Sequence, residues 1–152
     1  MRNFILIIGI LLTTNVFAQE IENENYNAEL ATKLGGDDYG MKKYCFVLLT
    51  TGENKSTDKA FRDSCFVGHM TNINRLVGTG ELVVAGPFMS NTEGFRGLFI
   101  LNVEDPLKAE ELLQTDPAIK EGFLAAKVIP WYGSAALPEY LNASDQIWRK
   151  NF

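Results

Sequence analysis

The chain has one histidine, His69, and two cysteines, Cys45 and Cys65. With no CxxC or HExxH spacing, a lone imidazole and two separated thiols make a poor zinc set, and no cofactor is expected. No serine or cysteine elbow is present, so acyl-enzyme chemistry has no nucleophile to start from. Basic charge is scarce too: 14 Lys and Arg stand against 19 Asp and Glu, a formal charge of −5. Without a Lys/Arg stripe, nucleic acid is excluded as the expected partner. Long apolar runs are also missing. The run from Phe4 to Leu12 falls short of a bilayer span, and nothing after it comes closer.

That run has a different use. Arg2 supplies a positive start, Phe4 to Leu12 the apolar middle, and Val16-Phe17-Ala18 a small-residue cleavage pattern ahead of Gln19. Residues 1–18 read as a secretory signal peptide cleaved after Ala18. The expected product is periplasmic or secreted from a bacterium, with no membrane segment left. Position 19 is not cysteine, so the lipoprotein route is unsupported. Losing Arg2 moves the formal charge from −5 to −6. Residues 19–40 hold Glu20, Glu22, Glu24, Glu29, Asp37 and Asp38 against Lys33, so nearly all of the excess charge lies there. This stretch reads as an acidic, flexible lead-in. The body from Met41 onward is close to neutral. Export permits a disulfide, and Cys45 on a strand can meet Cys65 on the helix above it; two separate buried thiols remain the alternative.

The body reads as a succession of strands and helices. Tyr44 to Thr51 is a strand, and Ser56 or Thr57 can cap a helix from about Asp58 to Val77 that ends at Gly78 and Gly80. Leu82 to Ala85 and Phe95 to Val103 read as a hairpin around Ser90–Gly94. Asp105-Pro106 opens a second helix with an apolar side from Leu107, Leu112 and Leu113, and Asp116-Pro117 interrupts it. Leu124 to Trp131 is the fourth strand. The order β-α-β-β-α-β predicts an α+β, ferredoxin-like domain over residues 41–133 with a four-stranded antiparallel sheet. Residues 134–152, with Leu137, Tyr140, Leu141, Ile147 and Trp148, read as a helical C-terminal extension.

Two features of this pattern bear on function. Two helices cover only one face of such a sheet, yet Cys45–Leu49, Leu82–Ala85 and Leu98–Leu101 are apolar on both faces. The open face needs a cover, either a second copy in a homodimer or the C-terminal extension. The second feature is His69, which shares a helical stripe with Phe61, Cys65, Ile73 and Leu76 and so lies at the buried face. It is either a satisfied core histidine or an acid–base group.

The residues Tyr44–Leu49, His69 with Leu76, GELVVAGPF at 80–88, GFRGLFILNV at 94–103, DP at 116–117 and VIPWYG at 128–133 resemble the YciI-like (YCII-related) proteins of the dimeric α+β barrel superfamily. The resemblance runs from about Met41 to Gly133. It implies a homodimer with a small-molecule pocket in each subunit and a His–Asp pair, here His69 and Asp116, as active site. It also implies a link to dehydrochlorination or related lyase-type steps on ring-derived acids. A carboxylate on one imidazole nitrogen fixes the tautomer and makes the other a usable base, so the pair suits proton transfer or elimination. Taken alone, Asp116 is also an ordinary turn residue before proline.

Four further residues are candidates for substrate binding. Arg96 can hold a carboxylate, face solvent or form an intersubunit ion pair. Gly86 and Pro87 can shape a pocket mouth or merely end a strand, and Trp131 can stack on a planar ligand or cap the core. The expected function is small-molecule acid–base chemistry of lyase or elimination type on an organic acid. A non-catalytic ligand-binding or accessory dimer of the cell envelope is the alternative. Haem chemistry, with His69 as axial ligand, ranks last.

Overall fold

A computed structural model describes residues 23–149. The expected signal peptide lies outside them. Within the acidic lead-in a short helix, α1 (Ala28–Leu34), is capped by Asn27 and closed by Gly35 at φ 72°, and it buries no residue. The body follows as β1 (Met41–Thr51), α2 (Lys59–Gly78), β2 (Leu82–Pro87), β3 (Phe95–Leu101), α3 (Pro106–Leu113), α4 (Pro117–Lys120) and β4 (Leu124–Ser134). The strands form one antiparallel sheet in the order β2-β3-β1-β4. This is the ferredoxin-like arrangement, with β1 and β3 central. Both strand prolines, Pro87 and Pro130, lie on edge strands, where a missing amide donor is tolerated.

Side-chain alternation explains the two layers. Cys45, Val47 and Leu49 of β1 point to the helices and pack with Leu82, Phe99, Leu101 and Leu124 beneath Cys65 and Leu76 of α2 and Leu112 of α3. The cap of α2 is Asp58, whose carboxylate accepts from the Phe61 amide. Ser56 instead accepts from the amide of Asp58, so neither Ser56 nor Thr57 takes the expected role. At the far end Gly80 takes the left-handed conformation, whereas Gly78 is still helical. Leu107 is exposed, and Ala109 replaces it on the buried side of α3.

Both cysteines are free and buried. Burial pushes the Cys45 thiol above its ordinary pKa, with Asp105 adding to the shift; burial does the same for Cys65, with Glu121 and Asp116 adding.

The other face of the sheet is only partly covered. Tyr44, Val83 and Ile100 are buried there, with Leu137 of the C-terminal segment packed on them. The Tyr140 hydroxyl donates to the Val83 carbonyl at 2.7 Å, which ties the 3₁₀ turn Leu137–Tyr140 and the short α5 (Leu141–Ser144) to their own domain. Phe46, Leu48 and Leu98 are half-buried, and Ile129 and Trp131 remain 38% and 37% exposed.

Candidate active site

His69 and Asp116 come from segments 47 residues apart and meet because α2 crosses the turn between α3 and α4. His69 Nδ1 lies 2.6 Å from Asp116 Oδ2. The other oxygen, Oδ1, accepts from the amides of Ala118 at 2.9 Å and Ile119 at 3.3 Å, so Asp116 caps α4 and cannot swing away without losing that cap. With a carboxylate on Nδ1, the neutral ring keeps its proton there and leaves a lone pair on Nε2. Asp116 is 1% exposed, whereas the imidazole retains 12%. The ring lies between Phe99, stacked at 5.9 Å, and Phe66, edge-on at 6.1 Å. Its plane is therefore fixed from both sides.

Neighbouring contacts hold α2 against this turn. A Cβ on Gly68 would sit 2.7 Å from Pro117 Cγ, so glycine is what lets the helix approach the residue after Asp116. One turn further along, buried Asn72 receives Arg75 Nη2 at 2.8 Å and lies 3.0 Å from the hydroxyl of Thr115, the residue before Asp116. Thr115 donates to the Leu112 carbonyl at 2.6 Å and accepts from Arg75 Nη2 at 2.9 Å. Residues 68, 69 and 72 thus meet 117, 116 and 115 in order.

His69 lines a cavity of about 360 Å³ between α2 and the β2–β3 end of the sheet. That volume suits a small organic molecule. Phe66, Met70, Ile73 and Asn74 supply the helix side; Leu49, Leu124 and Phe99 form an apolar floor; Ala85, Gly86, Pro87, Arg96 and Gly97 form the rim. A Cβ on Gly97 would lie 2.8 Å from the Gly86 carbonyl oxygen, so the tight β2–β3 pairing at the rim requires glycine there.

Of the six residues marked in the sequence, His69, Gly86, Pro87 and Arg96 line this cavity, and Asp116 stands behind His69. Trp131 does not belong to it. It pairs with Tyr44 on the opposite face of the sheet, ring centroids 5.7 Å apart, and folds over Gly133. Strand parity decides this, because Trp131 faces Tyr44 across the ladder and Tyr44 points away from the helices. Asn74, Met70 and Phe66 were not foreseen as site residues. Their signal is the spacing 66, 69, 70, 73, 74, a helical stripe that runs beside the Cys65–Leu76 core stripe. Among the described residues, no three His, Cys, Asp or Glu side chains gather as a metal site.

The fold and cavity define a class: a ferredoxin-like α+β domain with a ligand-sized, largely apolar pocket under its crossover helix. Within that class the chain belongs to the YCII-related family, whose domain profile matches residues 45–132, more than half of the sequence. Among solved structures it is similar to the 5-chloro-2-hydroxyhydroquinone dehydrochlorinase of Burkholderia phenoliruptrix AC1100, determined in complex with 2,5-dihydroxybenzoquinone. Identity is 19%, coverage is 57% of this chain and 92% of that one, and the TM-score is 0.41. No curated protein matches the chain in sequence.

Proposed function

We propose that the protein is a small enzyme in which His69, held by Asp116, moves a proton on an organic acid bound in the adjoining cavity, in a lyase or elimination step. The observation that carries this reading is the single hydrogen bond from Nδ1 to a buried, doubly anchored carboxylate. It leaves Nε2 as the nitrogen with no protein partner among the described residues, on a ring that borders an apolar cavity. A base at Nε2 takes a proton from the ligand, the Asp116 carboxylate stabilises the imidazolium so formed, and the same nitrogen returns the proton or passes it to a leaving group. Phe66, Phe99 and Leu124 give the ligand apolar walls beside that nitrogen.

The working unit is proposed to be a homodimer. The C-terminal segment leaves Phe46, Leu48, Leu98 and Ile129 without full cover on the second sheet face, and a second copy is the economical cover. A monomer mass in sedimentation equilibrium would sink this part. Export with cleavage after Ala18 is proposed from residues 1–18, and amino-terminal sequencing of the mature protein should begin at Gln19.

The test is proton exchange in D₂O, followed by NMR over a panel of enolisable and halogenated small organic acids. Deuterium incorporation or halide release should occur with at least one acid and fall by about 10²-fold or more in His69→Gln. Acids that bind in the cavity yet neither exchange nor eliminate would replace the enzyme by a non-catalytic binding dimer.

A further inference from the structure

The His69 cavity does not end at Arg96. Beyond that side chain and Phe66 lies a second open recess of about 410 Å³, lined by Lys55, Arg62 and Arg96 together with Thr51 and Ser56. No aspartate or glutamate lines it among the described residues. Lys55 Nζ donates only to the Gly52 carbonyl, at 3.1 Å, and Arg96 makes no ion pair among the described residues. Arg62 Nε stands 4.0 Å from Asp63 Oδ1, at the outer limit of an ion pair, while Lys59 engages the other oxygen of Asp63. Three cations thus face one recess in a body whose formal charge is near zero. Folding gains nothing from that arrangement, since like charges in one recess raise its energy and an oxyanion bound among them lowers it.

From this juxtaposition we propose that the recess is the anion subsite of the His69 cavity. Its ligand carries an apolar, ring-sized body in the cavity that His69 lines with Phe66 and Phe99, and an oxyanion, carboxylate or phosphate, that Arg96 receives with Arg62 and Lys55. The proposal rests on the reading of the His69 cavity as a ligand site, and it adds where the negative group goes. Arg96 is the shared wall of both volumes, and its planar fork suits two parallel hydrogen bonds to an oxyanion, whereas Lys55 acts as a point charge. Because the recess is open, its attraction weakens with ionic strength, unlike the packing of the ring.

The experiment titrates the full-length mature protein with benzoate, phenyl phosphate and uncharged benzyl alcohol, reading the arginine Nε–H and His69 ring resonances together. Benzoate or phenyl phosphate should move both sets and bind about tenfold tighter than benzyl alcohol, an advantage that shrinks with added salt. Arg96→Gln should remove most of that advantage, Arg62→Gln part of it, and Arg96→Lys should restore a share. The tighter of the two acids identifies the oxyanion. Equal affinity for benzyl alcohol, or acid binding indifferent to both Gln variants, overturns the subsite. Arginine shifts with a silent His69 ring overturn its connection to the cavity. Acid binding that moves both sets without any turnover leaves the subsite standing and removes only the catalytic reading.

Discussion

Replacing Asp116 separates positioning from chemistry, because its two oxygens do different work. Oδ1 caps α4 by accepting from Ala118 and Ile119, and Oδ2 meets His69. In Asp116→Asn the carbonyl oxygen keeps the two amides, so the NH₂ group is left facing Nδ1. An amide donor there requires Nδ1 to be the acceptor. The ring proton must then move to Nε2, and the cavity loses its lone pair. The cap survives, so stability should fall by no more than about 1 kcal/mol, whereas turnover should fall by about 10³- to 10⁴-fold, the size expected of a wrong tautomer. Asp116→Ala loses both functions. A lost cap costs about 1 kcal/mol, and a lost hydrogen bond to a charged group about 1.5–3 kcal/mol. At about 2–4 °C per kcal/mol for a chain of this size, Tm should drop by about 5–15 °C. Long-range ¹H–¹⁵N spectra of the neutral ring read the tautomer directly, and thermal melts read the stability. An Asn variant that keeps its proton on Nδ1 would refute the reasoning, as would one that melts as early as the Ala variant.

Two further perturbations probe the frame around the pair. Gly68→Ala gains up to about 1 kcal/mol of helix propensity, but its methyl would press on the rigid Pro117 ring at 2.7 Å. Overpacking costs about 1–3 kcal/mol; the balance should be a net loss with a displaced His69 ring resonance, and a stabilised variant would contradict the close approach. The buried thiols of Cys45 and Cys65 should resist alkylation until the protein unfolds, and their raised pKa values set the sign of a pH effect. The folded state favours the protonated thiols, so this contribution is complete below the unfolded thiol pKa of about 8.5 and is lost as pH rises from there toward the folded values. Denaturant midpoints should therefore fall above about pH 9, and more in the native protein than in a Cys45→Ala, Cys65→Ala double variant; equal alkaline losses would argue against buried thiols.

Much of the fold was legible because local signals agree with one another. Short continuous apolar runs, the polar turn Ser90–Gly94 and Pro after Asp at 105 and 116 put the body strands and helices in their places, and edges moved by a few residues at most. Legibility failed where two patterns compete over the same residues. Along α2 a core stripe and a cavity stripe run side by side, so the residue types did not separate Met70 and Asn74, which line a cavity, from Leu76, which is buried in the core. Polar positions were the other blind spot. Asn72 reads as a surface residue, yet it is buried because Arg75 and Thr115 satisfy it. Those partners belong partly to a segment some forty residues away.

The sequence by itself determined the order of elements, the family and a short set of chemical candidates, since these depend on spacing and residue type. The tertiary structure decided which candidates share a site. Strand parity carried Trp131 to the far face with Tyr44, the helix crossing at Gly68 brought Asp116 to His69, and the β2–β3 end of the sheet put Arg96 between the cavity and the basic recess. The cover of the second sheet face was undetermined for the same reason. Apolar residues on both sides of a strand say that a cover is needed, but only packing reveals that Leu137 and Tyr140 already supply part of it.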